Sequence, residues 1–203
     1  QYIFILSILF IGIVICIEAN NIFSKLISSQ MVKKNSLSKT LNSKFFILNF
    51  LTFFYTFFVF CNLSYEIHKS EGSIFFLYII SICFLTDIGG YVFGKLIGGK
   101  KLSKISPNKT ISGTIGSFIF SIFPLIIFLN LGYLYLEFDL NNILLCLLVS
   151  LISQLGDLFI SFFKRKAKIK DTGKLLPGHG GVLDRVDGII FAIPFAYFLL
   201  KLF

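Results

Sequence analysis

Residues 142–163 read NILLCLLVSLISQLGDLFISFF. A run of this length and apolarity matches the stretch of about 20 residues that crosses a hydrocarbon core roughly 30 Å thick as one helix. It is continuous rather than alternating, which excludes an outer-membrane barrel strand, whose side chains face lumen and lipid in turn. Similar runs lie at about 2–18, 45–65, 73–97, 114–136 and 184–203. The sequence therefore predicts an all-α, polytopic integral membrane bundle of about six transmembrane helices. Composition agrees: of 203 residues 56% are hydrophobic and only 14% charged, with 27 Phe, whereas a soluble domain is about 25% charged. One small core could not bury that much apolar surface, and a soluble globular protein is excluded. Residues 1–70 are expected to hold N-terminal membrane helices and a basic linker, and 71–203 a catalytic membrane core, in one continuous membrane domain.

The net charge is +9, and 17 of the 19 basic residues fall in three loops, at Lys25–Lys44, Lys95–Lys109 and Lys164–Arg185. The intervening loops carry Glu66, Glu71, Glu137 and Asp139. The positive-inside rule puts the basic loops in the cytoplasm and both termini outside, so the charge reports topology and contact with phosphates or headgroups rather than nucleic acid. The first run carries its lysines after it, opposite to a secretory signal, and reads as a membrane helix. Segment 24–44, rich in Ser, Lys and Asn, reads as a solvated linker. Cys16, Cys61, Cys83 and Cys146 sit in apolar runs without ligand spacing, which indicates buried thiols rather than zinc or disulfides.

Asp87 and Asp157 lie inside apolar runs, where a carboxylate costs about 2.5 to 3.5 kcal/mol and is functional by default. Each is expected roughly 10 to 12 Å below the cytoplasmic end of its helix, from the 1.5 Å rise per residue. Ser153, Gln154 and Ser161 recur beside Asp157 at helical spacing. Gly90, Gly94 and Gly98 form a small-residue stripe beside Asp87, which serves tight packing, close approach of a ligand, or both.

Residues 161–187 read SFFKRKAKIKDTGKLLPGHGGVLDRVD. The segment combines seven cations, a Pro177-Gly178-His179-Gly180-Gly181 turn and two carboxylates, Asp184 and Asp187, three residues apart. Cations and turn amides bind phosphates, and carboxylates on one helix face hold a hard divalent ion. Asp184 alone would equally serve as a helix N-cap. A second basic stretch, GGKKLSKISPNKTISGTIG at 98–116, offers Ser106, Lys109 and Thr110 as a phosphate cradle. Together these residues suit Mg²⁺ and a nucleotide, since Mg²⁺ takes one or two carboxylates plus substrate phosphates.

The pattern from Ser161 through Lys164-Arg165, Lys170-Asp171, Gly173, Pro177-Gly178-His179-Gly180-Gly181 and Asp184-Arg185 to Asp187 resembles the signature of the CDP-diacylglycerol synthases, or phosphatidate cytidylyltransferases. Gln154-x-Gly156-Asp157, Asp87-x3-Tyr91-x2-Gly94-Lys95 and Ser106-Pro107-x-Lys109-Thr110 resemble further blocks of that family. It usually has Glu where this chain has Ser112. The resemblance implies transfer of CMP from CTP to phosphatidate, giving CDP-diacylglycerol and pyrophosphate at the cytoplasmic face of the inner membrane. It implies a metal on Asp157, Asp184 and Asp187, and Asp87 is taken as a metal residue with them. Lys164, Arg165, Lys170, Arg185 and Lys109 would hold phosphates, joined by Ser106, Thr110, Gly180 and Gly181, with His179 in the turn or on a phosphate oxygen. Expected partners are Mg²⁺, CTP, phosphatidate and membrane lipids, and no nucleic acid; a second cation and a homodimer are left open. Two other readings stand beside this one, a CTP-dependent lipid kinase of the polyprenol type and an ion channel or transporter using Asp87 and Asp157. The second leaves the basic Gly-rich loop without a use.

Overall fold

A computed structural model describes the chain apart from residues 32–37, 104, 105, 107, 108, 133–136, 174, 176, 177, 179 and 203 and the side chains of 29–31 and 38–41. The described residues form helices α1 (Tyr2–Met31), α2 (Ser38–Phe54), α3 (Asn62–Ser70), α4 (Gly72–Leu96), α5 (Ile111–Ser121), α6 (Phe123–Leu131), α7 (Leu140–Lys166), α8 (Leu183–Val186) and α9 (Ile189–Leu202). A π-helical segment, Tyr55–Cys61, joins α2 to α3 without a break. Five stretches are long and apolar enough to cross a membrane: Tyr2–Ser28, Asn42–Ser70, Gly72–Leu96, Ile111–Leu131 and Leu140–Lys166. The chain is a multi-pass membrane protein.

Three boundaries differ from the sequence reading. The run expected at 184–203 is divided, because the chain turns at Asp187 and Gly188 between α8 and α9. A Cβ on Gly188 would stand 2.8 Å from the Ser153 carbonyl oxygen, so the turn needs glycine there. At 1.5 Å per residue the 14 residues of α9 reach about 21 Å, short of a full crossing. Helix also replaces much of the expected 24–44 linker, since α1 runs to Met31 and α2 starts at Ser38. The loop expected around Glu66 and His68 is helical through Ser70.

The chain divides into two compact units, Gln1–Asn62 with Phe159–Asp187 and Leu63–Leu158 with Gly188–Phe203. In the first, α1 meets the π-helical segment at Gly12, where an added Cβ would lie 3.0 Å from the Cys61 Sγ. The Cys61 thiol donates to the Ile8 carbonyl at 3.7 Å, and Phe23 meets Phe163 edge to face at 5.9 Å. In the second, Tyr78 is fully buried with its hydroxyl 3.1 Å from the Cys146 Sγ.

The tightest helix pair of the second unit is α4 against α5. Gly89, Gly90 and Gly94 on α4 face Gly113, Gly116 and Ser117 on α5, so the backbones approach closely. Ser117 Oγ donates to the Thr86 carbonyl at 2.8 Å, and Phe93 and Phe120 close the contact at 5.9 Å. The expected small-residue stripe is therefore real at Gly90 and Gly94 but not at Gly98. That residue has φ +64° and nothing within 4 Å of a would-be Cβ; it makes the turn out of α4. A Cβ on Gly116 would fall on the Phe93 side chain and 2.7 Å from the Gly89 carbonyl oxygen. Gly116→Ala is expected to destabilise the detergent-solubilised protein by about 1–3 kcal/mol, the usual cost of overpacking. An unchanged thermal midpoint would contradict this packing.

Candidate active site

The second unit builds a polar cavity from α4, α5, α7 and the excursion between α4 and α5. Gly98 and Gly99, at φ +64° and +102°, turn the chain out of α4. It returns through a single antiparallel bridge, with the Leu102 amide donating to the Lys109 carbonyl at 2.8 Å and the Ile111 amide to that of Lys100 at 3.0 Å. Thr110 then caps α5, its Oγ1 accepting from the Gly113 amide at 3.1 Å. This return fixes Lys109 beside α7, where its ammonium forms an ion pair with Asp157. Asp87 lies within electrostatic reach of both. The cavity, about 270 Å³, is lined by Asp87, Tyr91, Ser106, Lys109, Thr110 and Gln154.

The side chains of Lys109 and Asp157 are 28% and 26% exposed, so the pair is open to an incoming ligand. Asp87 and Asp157 set two acidic groups near the Lys109 ammonium, and in a medium poorer than water a carboxylate attracts a cation strongly. Ser112, the position where the family usually has Glu, is tied to the protein itself. Its hydroxyl donates to the Gly98 carbonyl and lies 3.0 Å from Thr110 Oγ1. A carboxylate could not make that donor contact.

The first unit assembles a different cluster from the signature segment. Asp184 Oδ1 accepts from the Lys164 ammonium at 2.8 Å. Its Oδ2 accepts from the Thr172 amide at 2.8 Å and the Gly181 amide at 2.9 Å, and the Thr172 hydroxyl lies 3.0 Å from it. Burial pushes the Asp184 carboxyl up, but the Lys164 ammonium and the two amides outweigh it and hold the group below its usual range. The sequence reading gave the Gly181 amide to a substrate phosphate. The structure commits that amide to Asp184, an anion already present in the chain. What remains on Asp184 for a cation is one lone pair of Oδ1.

Glu18 of α1, which the sequence reading passed over, completes this cluster. It is 1% exposed. Its Oε1 accepts from the Val182 amide at 3.0 Å, and its Oε2 from the Leu183 amide and the Thr172 hydroxyl at 2.8 Å each. The signal for it was in the sequence: Glu18 is a carboxylate at the end of the apolar run 2–18, and the cost argument applied to Asp87 and Asp157 applies to it as well.

The remaining candidates are placed as follows. Arg165, Lys170 and Arg185 are exposed, and Gly180 makes its turn at φ +86°. Asp187 is buried at the C-cap of α8. His179 lies outside the described residues. The structure brings Asp87, Lys109 and Asp157 together in one unit, with Ser106 and Thr110, and Lys164 with Asp184 in the other. Among the described residues, no three His, Cys, Asp or Glu side chains converge, although Mg²⁺ with a nucleotide needs only one or two carboxylates.

Comparison with known proteins bears on this arrangement. The family model described as the cytidylyltransferase family matches residues 1–203. This chain belongs to the cytidylyltransferase family. It is 46% identical over 136 residues to the phosphatidate cytidylyltransferase of Staphylococcus haemolyticus strain JCSC1435, covering 65% of this chain and 51% of that protein. It is similar to the protein of the same name from Staphylococcus aureus strain COL, at 47% over 136 residues with the same coverage. To that of Bacillus subtilis strain 168 it is 43% identical over 138 residues, or 65% of this chain and 49% of the relative. The chain thus spans about half the length of the curated relatives it matches.

Because Asp184 is held below its unfolded value of about 3.9, it stabilises the signature segment at pH values above that figure, and the contribution fades as pH falls through the folded value. Hydrogen exchange at the Thr172 and Gly181 amides, corrected for intrinsic rates, is expected to stay slow from pH 7 to about 4 and to quicken below. Asp184→Asn should exchange faster at neutral pH and lack the acid transition. Retention of full protection and of that transition in Asp184→Asn would contradict this role.

Proposed function

We propose that this chain carries the reaction site of a phosphatidate cytidylyltransferase. CMP passes from CTP to phosphatidate, making CDP-diacylglycerol and pyrophosphate in phospholipid synthesis. The observation that carries the reading is the Lys109–Asp157 ion pair beside Asp87 on a hydroxyl-lined cavity. The names of the relatives, matched over half their length, support it.

In this reaction a phosphate oxygen of phosphatidate attacks the α-phosphorus of CTP. The new bond joins that oxygen to the α-phosphorus, and the bond to the bridging oxygen of the β-phosphate breaks, releasing pyrophosphate. The nucleophile is already an anion, so no Ser, Cys or His need be activated; alignment and charge neutralisation suffice. The cavity is suited to that task. Lys109, drawn from solvent by Asp157, is placed to give its ammonium to an incoming phosphate. Ser106 and Thr110 present hydroxyls on the same wall.

Mg²⁺ fits this donor set, because carboxylates are hard oxygen ligands and Mg²⁺ takes one or two of them together with substrate phosphates. Asp157 and Asp87 would hold it, and when bound it would neutralise triphosphate charge; Asp184, which belongs to the other unit, is proposed as a metal ligand through the family resemblance. Asp187, Gly180 and His179 belong to the proposal through the family resemblance alone. In the first unit the exposed Arg165, Lys170 and Arg185 suit an anionic lipid headgroup. Basic loops that the positive-inside rule puts in the cytoplasm, and relatives of bacterial origin, support an inner-membrane protein with its active site facing the cytoplasm.

The test uses CTP phosphorus-labelled at either the α or the γ position, given to inside-out and right-side-out membrane vesicles with phosphatidate and Mg²⁺. The α-label is expected in lipid and the γ-label in pyrophosphate, in inside-out vesicles only. Asp157→Asn should lower the rate by about 10²-fold or more, as loss of a charged group in a preorganised site does. Lipid carrying only the γ-label would replace this reading with a lipid kinase, and incorporation only in right-side-out vesicles would reverse the topology.

A further inference from the structure

The segment that carries the family signature is anchored by a residue outside every signature block. Glu18 lies 154 residues from Thr172 and 165 from Leu183, yet its carboxylate accepts from both and from the Val182 amide. Three donors, two of them successive amides at the start of α8, meet one acidic group that is 1% exposed. Charge-assisted bonds of this kind are about twice as strong as neutral ones. Removing the acceptor would leave the Val182 and Leu183 amides without it, the second of them buried, while the Thr172 hydroxyl would still have Asp184 Oδ2 at 3.0 Å.

Two glycines of the segment are explained by the same contact. A Cβ on Gly173 would stand 3.0 Å from the Glu18 Cδ, and one on Gly181 would stand 2.7 Å from the same atom. Thr172 links the two carboxylates, its hydroxyl lying 2.8 Å from Glu18 Oε2 and 3.0 Å from Asp184 Oδ2. Gly181 and Thr172 also give their amides to Asp184. Whatever fixes Val182, Leu183 and Thr172 therefore fixes the Asp184 carboxylate and, through it, the Lys164 ammonium at 2.8 Å.

We propose that Glu18 is a positioning residue for the signature segment, holding the first turn of α8 and Thr172 so that Asp184, Lys164 and Arg185 keep one arrangement for the reaction. The catalytic consequence rests on the transferase reading above; the structural one does not. Glu18 touches no substrate in this role. It acts by removing freedom from groups that do, and a misplacement of about 1 Å can cost on the order of 10²-fold in rate.

The variants Glu18→Gln and Glu18→Ala of the full chain, in detergent or nanodiscs, separate the possibilities. Gln keeps the volume and one acceptor, but in either orientation its carboxamide NH₂ faces a backbone amide, that of Val182 or that of Leu183. Hydrogen exchange at Val182 and Leu183 should speed up in Glu18→Gln and further in Glu18→Ala, while amides of α4 and α5 keep the wild-type rate. With CTP and phosphatidate, kcat should fall about tenfold in Gln and about 10²-fold in Ala, with KM for CTP changed less than threefold. A general loss of fold would instead speed exchange throughout and reduce the active fraction without this ordering. Wild-type exchange and wild-type kcat in Glu18→Gln would overturn the proposal. If the wild-type protein transferred no CMP at all, the transferase reading would fail, while the exchange result would still decide whether Glu18 anchors the segment.

Discussion

A carboxylate within an apolar helix costs about 2.5 to 3.5 kcal/mol unless its oxygens find partners, and Glu18, Asp87 and Asp157 lie in such helices. Glu18, Asp87 and Asp157 cannot be left to lipid, so the surrounding chain is built to meet them. Glu18 is met by two amides and a hydroxyl of the signature segment. Asp157 is met by the ammonium of Lys109, with Asp87 close by. The difference between the two solutions is instructive. Glu18 is met by three neutral donors and shielded from solvent, which makes an anchor. Asp157 is met by one flexible cation at a partly open cavity, which makes a site where charges can be exchanged.

Delivering Lys109 to Asp157 depends on backbone geometry rather than on polar contacts. Glycines on α4 and α5 let the two helices approach closely. Gly98 and Gly99 then turn the chain, and Thr110 restarts it as α5. The length of the excursion and its bridge at Lys101 and Thr110 determine where Lys109 lies. In the other unit the corresponding work is done by Asp184, which draws the Thr172 and Gly181 amides and the Lys164 ammonium around one carboxylate.

Hydropathy made the membrane bundle legible, because lipid imposes a length and an apolarity that five stretches satisfy. The cost of buried charge likewise marked Asp87 and Asp157, and the basic stretches marked Lys109 and Lys164. Other features turn on contacts between distant residues. The partners of Glu18 lie more than 150 residues away, and no local periodicity reveals them. The amides of the Gly-Gly turn read as open to phosphate, since composition does not show that Asp184 takes the Gly181 amide for itself. Gly98 shares spacing with Gly90 and Gly94, but the helix ends before it, and spacing alone does not show where a helix stops. The short reach of α9 has the same origin, in a turn at Asp187 and Gly188 within an apolar run.

The proposed function makes the Lys109–Asp157 pair beside Asp87 the charge centre that would receive metal-bound CTP. Equilibrium binding of CTP to the purified protein, titrated with and without Mg²⁺, tests it without requiring turnover. Mg²⁺ is expected to tighten CTP binding in the wild-type protein, Lys109→Met to weaken binding under both conditions, and Asp157→Asn to abolish the Mg²⁺ effect. Mg²⁺-dependent binding of CTP to Asp157→Asn with wild-type affinity would contradict it.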